Sequence, residues 1–314
     1  MLLGVSGSYG YGTSREGSDV DLRGVTQNMP SDLIGLTTFE QYEDLRTDSV
    51  IYSFNKLVSL LLNCNPNTIE ILGLDEHQYL MKSSLGQKLL DNRELFLSKR
   101  AAASFGHYAE TQLRRLQNAI ARDTLPQTAR EEHILRSVGH VLDDFNRRQD
   151  MARYGHAKLY IDEAVTEGLK TEIFTDLSLK HFPLRAFNSM TEGLTSVVRD
   201  YDRIGKRNHK KDDNHLNKHA MHLVRLFMMG IDILEKGEIR THRPETDLKL
   251  LRSIRDGDYM DGSILNPAFY EIVNEYERRF TEAEKNSKLP DNPDMNKVEK
   301  LVESINRRVV LEDY

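Results

Sequence analysis

Gly4-Val5-Ser6-Gly7-Ser8-Tyr9-Gly10-Tyr11-Gly12-Thr13-Ser14-Arg15-Glu16-Gly17-Ser18-Asp19-Val20-Asp21-Leu22 joins a glycine-serine turn to two carboxylates. Met1 to Val5 is a short apolar run. A Gly7-Ser8 turn directly after it can aim successive backbone N–H groups at one point, a concavity that binds anions. Downstream, Asp19-Val20-Asp21-Leu22-Arg23-Gly24-Val25 alternates strictly, so on a strand both aspartates point to one face while Val20 and Leu22 point to the other. Carboxylates about 7 Å apart along a strand can share a hard cation such as Mg²⁺, and without one they repel. The stretch reads as a phosphate cradle followed by a divalent-metal site.

Other glycine-rich motifs fit less well. Gly7 and Gly12 have the spacing of a phosphate-binding P-loop, but Thr13 stands where its lysine must be, which excludes it. Gly10-Tyr11-Gly12 opens a dinucleotide fingerprint, yet Arg15 replaces the third glycine. A glycine-rich hairpin with solvated aspartates is the bland alternative, and it leaves the spacing and the alternation unexplained.

Gly7-Ser8, ten intervening residues, then Asp19-Val20-Asp21-Leu22 resembles the signature of the DNA polymerase beta-like nucleotidyltransferase superfamily. Within it the chain is similar to the bacterial and phage branch of predicted nucleotidyltransferases linked by context to RNA repair. The resemblance extends through Asn65-Pro66-Asn67-Thr68-Ile69-Glu70-Ile71-Leu72 and through Lys218-His219-Ala220-Met221-His222-Leu223-Val224-Arg225. It implies an α+β fold with a small mixed sheet flanked by helices, two Mg²⁺ (or Mn²⁺) ions and a nucleoside triphosphate donor. It does not imply which base or which acceptor.

Two-metal nucleotidyl transfer calls for a third carboxylate that helps deprotonate the attacking hydroxyl. Asp48 ranks first, because it opens an alternating strand followed at once by an amphipathic helix, the order in which the superfamily presents its third acid. Glu70 is the rival, set between Ile69 and Ile71, where a strand would turn it away from two buried isoleucines. The bland role for Glu70 is an ordinary salt bridge. On these expectations Gly7 and Ser8 hold the β- and γ-phosphates, while Asp19, Asp21 and Asp48 bind the metal. Ser18 caps the turn and Arg15 touches phosphate.

A chain of 314 residues with 39% hydrophobic content can bury more than one core, and the pattern divides near residue 95. Residues 1–95 alternate strand signals at Leu2 to Ser6, Val20 to Val25, Thr38 to Tyr42 and Asp48 to Phe54 with short helices, a nucleotidyltransferase domain. Residues 96–314 read as a mostly α-helical domain that completes the cleft. No apolar run is long enough for a membrane span, and no secretory signal precedes the first strand, so a cytoplasmic location is expected, bacterial or in the host of a phage. A single cysteine, Cys64, makes no internal disulfide, which suits a reducing compartment. The formal charge of −6 means that any RNA partner must meet a local basic face.

Such a face is legible between His215 and Lys236. Leu216, Ala220, Leu223, Phe227, Ile231 and Leu234 form one helical stripe, and Lys218, His222 and Arg225 share the opposite side, where they can meet nucleotide or RNA phosphate. The run Lys206 to Lys211 with His209, His215 and His219 adds basic character. His215 and His219 also have the spacing of a zinc helix, but Leu216 replaces the glutamate of metalloproteases. Arg203 and His209 have the spacing seen in small helical ribonuclease domains, a pattern too short to weigh much. Tyr108 to Ile120, His133 to Phe145, Leu248 to Arg255 and Lys297 to Val310 read as amphipathic scaffold helices, and Arg240 to Pro244 as a basic loop beside the cleft.

Overall fold

The computed structural model describes residues 1–44, 46–124, 153–165, 167, 171–192, 194–195, 213–262 and 264–311, with positions 129, 132, 135, 136 and 139. They group into two compact units. The first comprises Met1–Leu113, Asn217–Tyr259 and Asn266–Tyr314. The second comprises Arg114–Leu216 and Met260–Leu265.

A five-stranded sheet organises the first unit, in the order β3-β4-β2-β1-β5. Its strands are β1 (Leu2–Val5), β2 (Leu22–Thr26), β3 (Gln41–Asp44), β4 (Ser49–Ser53) and β5 (Tyr79–Lys82). β2 and β4 run parallel, and the other neighbours run antiparallel, so the sheet is mixed. Leu2, Val25 and Tyr52 stand in one cross-strand row and are buried. The parallel β2–β4 pair needs a crossover, and α2 (Pro30–Ile34) with edge strand β3 supplies it.

After β4 the period changes from two to 3.6. The Ser53 hydroxyl accepts from the Lys56 N–H and starts α3 (Phe54–Leu61), whose Phe54, Leu57, Val58 and Leu61 are buried. α4 (Pro66–Ile69) follows, with Asn65 as its cap and Pro66 at its first position. Cys64 lies between these helices, buried, with its thiol pushed up by burial, as an unreactive packing residue requires.

Long helices complete this unit. After α5 (Ser84–Asp91), α6 (Arg100–Thr124), α7 (Asp213–Lys236) and α9 (Pro267–Asn286) pack closely where Gly230 meets Phe280, since a Cβ there would come within 2.5 Å of that ring. Phe227 and Phe280 make an edge-on contact with centroids 5.7 Å apart. α8 (Glu245–Asp256) and α10 (Met295–Val310) bury Leu248, Leu251 and Ile254, and Val298, Leu301, Ile305 and Val309. The amphipathic spacing near 248, 297 and 108 thus forms helices where it predicts them. Among the described residues no helix is long and apolar enough to cross a membrane.

The second unit departs from the helical pattern expected past residue 95. It carries a hairpin of β6 (Gly155–Glu163) and β7 (Thr171–Leu179) in unbroken register from Gly155↔Leu179 to Glu163↔Thr171. Tyr160 and Phe174 stack across the ribbon with centroids 6.0 Å apart. Alternation in Leu159-Tyr160-Ile161 and Ile173-Phe174 is the local signal that helical periodicity elsewhere outweighed. A short second hairpin pairs β8 (Met260–Asp261) with β9 (Ile264–Leu265).

Candidate active site

β1 ends at Val5, Ser6 caps the next residue, and Gly7–Gly10 makes the single turn α1. Gly7 has φ +58°, in the left-handed region that glycine favours. A single turn cannot hold its own shape, because too few backbone bonds offset the ordering cost. Here side chains from elsewhere fix it. Ser6 Oγ donates to Glu70 Oε1 at 2.5 Å, and the Tyr11 hydroxyl donates to Glu70 Oε2 at 2.6 Å. Gln78 Nε2 donates to the carbonyls of Tyr9 and Gly10 at 3.2 and 3.1 Å, and the Thr13 N–H donates to the Ser8 carbonyl at 2.9 Å.

Glu70 therefore sits differently from its expected place. The run Thr68 to Leu72 is not a strand: Pro66 and the Asn65 cap start a helical turn, and Glu70–Gly73 continues as a 3₁₀ turn. Its carboxylate is turned inward, with only 7% of the residue exposed. Both its oxygens are engaged by the residues that bracket α1.

The acids gather at the ends of two parallel strands. Asp19 and Asp21 lie just before β2 instead of within it, because regular pairing begins at Leu22, although the Ser6 N–H still donates to the Asp21 carbonyl at 2.8 Å. Asp19 is exposed and Asp21 half-buried. Asp48 occupies the turn before β4 with φ +43°, a conformation that aspartate tolerates better than most residues. The parallel register pairs Leu22 with Ser49, so the residues preceding them, Asp21 and Asp48, come side by side. Burial, then the neighbouring Asp48 carboxylate, holds the Asp21 carboxyl above its ordinary value, against the pull of Arg23 and Lys218. Arg23 secures Asp48 from below: one guanidinium nitrogen bonds its carbonyl, and Nη2 lies 3.0 Å from Oδ1.

α7 brings its cations to the same place. Lys218 is exposed and near enough to Asp21 to favour the ionised form. The Arg225 guanidinium carbon lies over the Tyr11 ring, 3.5 Å from its centroid, and Nη2 is 2.7 Å from His222 Nδ1. Lys218, next to Asp21, and Arg225, on Tyr11, thus link the Lys218–Arg225 stretch to the glycine-rich one.

The weaker sequence candidates have structural partners. The Ser18 hydroxyl accepts from the Arg15 N–H at 2.8 Å and so closes its turn, while the Arg15 side chain pairs with Asp256. In the basic loop, Thr241 Oγ1 donates to the Gly73 carbonyl at 2.7 Å. The buried Arg243 lies 2.6 Å from Asp232 and 2.9 Å from Asp247. From α8, Arg252 donates to the Gly12 carbonyl at 3.1 Å. The loop and α8 therefore brace the glycine-rich segment. Lys206 to Lys211, the Arg203 and His209 pair, and the His215 side chain lie outside the described residues, as does most of His133 to Phe145.

Ser6, Tyr11, Thr13 and Gln78 carried no signal of their own in the sequence. Gln78 is an unremarked polar residue sixty-eight positions from its Gly10 partner. Ser6 and Tyr11 could have been suspected only from flanking the glycine turn.

Among the described residues no group of three or more His, Cys, Asp or Glu side chains is drawn together as a metal cage. The Asp21–Asp48 pair, with Asp19 nearby in sequence, nevertheless fits a divalent cation chemically. It offers hard oxygen donors whose mutual repulsion a cation relieves, and Mg²⁺ commonly takes its other ligands from water and substrate phosphates.

Residues 1–139 match the family described as the RNA repair pathway DNA polymerase beta family. The matched span contains the Gly7–Gly10 turn, Asp19, Asp21, Asp48 and Glu70, and it ends before α7. No curated protein and no solved structure gave a significant match.

Proposed function

We propose, on the premise that residues 1–139 match the RNA repair pathway DNA polymerase beta family, that the protein is a metal-dependent nucleotidyltransferase. It moves a nucleoside monophosphate from a triphosphate to an acceptor hydroxyl or phosphate, with an RNA end as the acceptor. The observation that carries the reading is the Asp21–Asp48 carboxylate pair set against the Gly7 turn, with Lys218 facing it.

Each residue has a physical task. The N–H groups and hydroxyl of Gly7 and Ser8 receive the outer phosphates, Lys218 and Arg225 add positive charge beside them, and His222 accepts from Arg225 and orients it. Asp19, Asp21 and Asp48 would hold Mg²⁺ or Mn²⁺, which when bound neutralises triphosphate charge and acidifies an acceptor hydroxyl. The acceptor oxygen attacks the α-phosphorus in line, the α–β phosphoanhydride bond breaks, and pyrophosphate leaves with the bonding pair. Asp48 orients the acceptor proton for removal, and Arg23 keeps Asp48 in place.

A second reading keeps the chemistry and changes the acceptor to a protein side chain or a small molecule. A third keeps the fold as an idle nucleotide- or RNA-binding module. The opposed Asp21–Asp48 pair favours an enzyme, since binding alone has no need to set like charges side by side. Each α-labelled triphosphate, supplied with Mg²⁺ or Mn²⁺ and with RNA, DNA and protein acceptors, separates the three. Label transfer to RNA that disappears in the Asp19→Ala, Asp21→Ala double variant is expected. No transfer under any condition, or undiminished transfer by that variant, sinks the enzymatic reading.

A further inference from the structure

We infer that Glu70 is a positioning residue for the phosphates of the donor, acting through Ser6 and Tyr11. This rests on the proposed reading of the Gly7-Ser8 turn as a phosphate cradle. Glu70, Ser6 and Tyr11 are 7%, 2% and 2% exposed, so this carboxylate lies in the core. A carboxylate there is costly unless its oxygens are bonded, and each oxygen takes one hydroxyl donor. Those donors come from the residues immediately before and after α1. One side chain therefore fixes both ends of the turn whose N–H groups face the phosphates.

The same side chain controls a second element. The bond to Glu70 orients the Tyr11 ring, and that ring is the surface on which the Arg225 guanidinium rests at 3.5 Å. Arg225 is in turn tied to His222 at 2.7 Å. The N–H groups of the turn and the Arg225 guanidinium of α7 thus share one buried reference point. A purely apolar residue at position 70 could fill the space, but it could not set the orientation of either hydroxyl.

The role differs from metal ligation in what it makes Glu70 do. A metal ligand should be dispensable for metal-free phosphate binding and intolerant of an amide. A positioning residue should show the opposite, because a glutamine can bond both hydroxyls, which donate or accept as needed.

Inorganic tripolyphosphate in the absence of divalent metal is the probe, because it needs no base, acceptor or cation. Titration calorimetry on the full chain would give its Kd, with thermal melts and circular dichroism as fold controls. Glu70→Ala and Tyr11→Phe are expected to raise Kd roughly tenfold, the worth of about one charge-assisted hydrogen bond. Glu70→Gln should stay near wild type. In the transfer assay the first two should raise KM for the triphosphate more than they lower kcat. If Glu70→Ala does not fold, Tyr11→Phe and Ser6→Ala decide.

Wild-type protein that binds neither tripolyphosphate nor any nucleoside triphosphate overturns the cradle reading, and this inference with it. A wild type that binds, alongside folded Tyr11→Phe and Ser6→Ala variants with unchanged Kd, overturns the positioning role alone. So does a Glu70→Gln variant that keeps metal-free binding but loses Mg²⁺-supported transfer, the behaviour of a metal ligand.

Discussion

Asp21 lies directly against Gly7: a Cβ built on Gly7 would fall 1.7 Å from Asp21 Oδ2. The glycine turn and the acid pair are therefore one contact surface, although fourteen positions separate the two residues in sequence. Any side chain at position 7 must push the carboxylate away.

Gly7→Ala should accordingly damage both fold and function. The left-handed φ costs an alanine about 1–2 kcal/mol, and relieving the overlap displaces Asp21 from Asp48. A lowered melting temperature together with lost nucleotidyl transfer is the expected result. An alanine variant with wild-type transfer would show that the contact is not needed.

Asp21→Asn should raise stability at neutral pH while it abolishes transfer. Burial and Asp48 hold the Asp21 carboxyl above its ordinary value, so ionisation costs more in the folded state than in the unfolded chain. That penalty is absent below the unfolded value, about 3.9, grows as pH rises from there to the folded one and is fully present above it. Melting curves should show the variant ahead of wild type at pH 7 and level with it in acid. A variant less stable than wild type at pH 7 would contradict the repulsion between Asp21 and Asp48.

Lys218→Ala tests function separately from folding. The residue is exposed, so its removal should change stability by no more than about 0.5 kcal/mol. Its charge acts on Asp21, and KM for the triphosphate should rise several-fold at low salt and less at high salt. Unchanged KM across that salt range would remove Lys218 from the site.

Arg243→Met should be a stability variant with a pH signature. Arg243 and Asp232 are nearly buried and 2.6 Å apart. Burial alone would lift the Asp232 carboxyl, but bonds from Lys236 and Arg243 prevail and hold it below its ordinary value. A depressed carboxylate stabilises the fold above its unfolded value and loses that contribution as pH falls through the folded one. Leaving Asp232 without its guanidinium should cost about 3–5 kcal/mol near pH 7, with the gap narrowing in strong acid. Chemical denaturation of both proteins across pH measures it.

Local chemistry made much of this protein legible. The change from period two to 3.6 after Ser53 and the amphipathic stripes at 248, 297 and 108 all appear as elements. Gly7 and Ser8 open a turn, and Asp48 stands at the mouth of a strand. Where expectation and structure differ, a second signal outweighs the pattern read first. Alternation at Asp19 to Asp21 suggested strand, yet pairing starts at Leu22. The apolar run around Glu70 suggested strand, yet the Asn65 cap and Pro66 turned it into helix. The β6–β7 ribbon was hidden because so much of the surrounding sequence has helical spacing.

The sequence by itself determined the chemistry: which residues can cradle an anion, which carboxylates repel unless a cation joins them, and where helices begin, because these depend on neighbours a few positions away. Only the tertiary structure decided partnership. It set Asp21 beside Asp48 through a parallel register, laid Arg225 on Tyr11, and sent Glu70 inward to hold Ser6 and Tyr11. Those pairings join residues twenty-seven to more than two hundred positions apart. Their selection depends on which polar groups can be satisfied together when the whole core closes, and no local pattern encodes that.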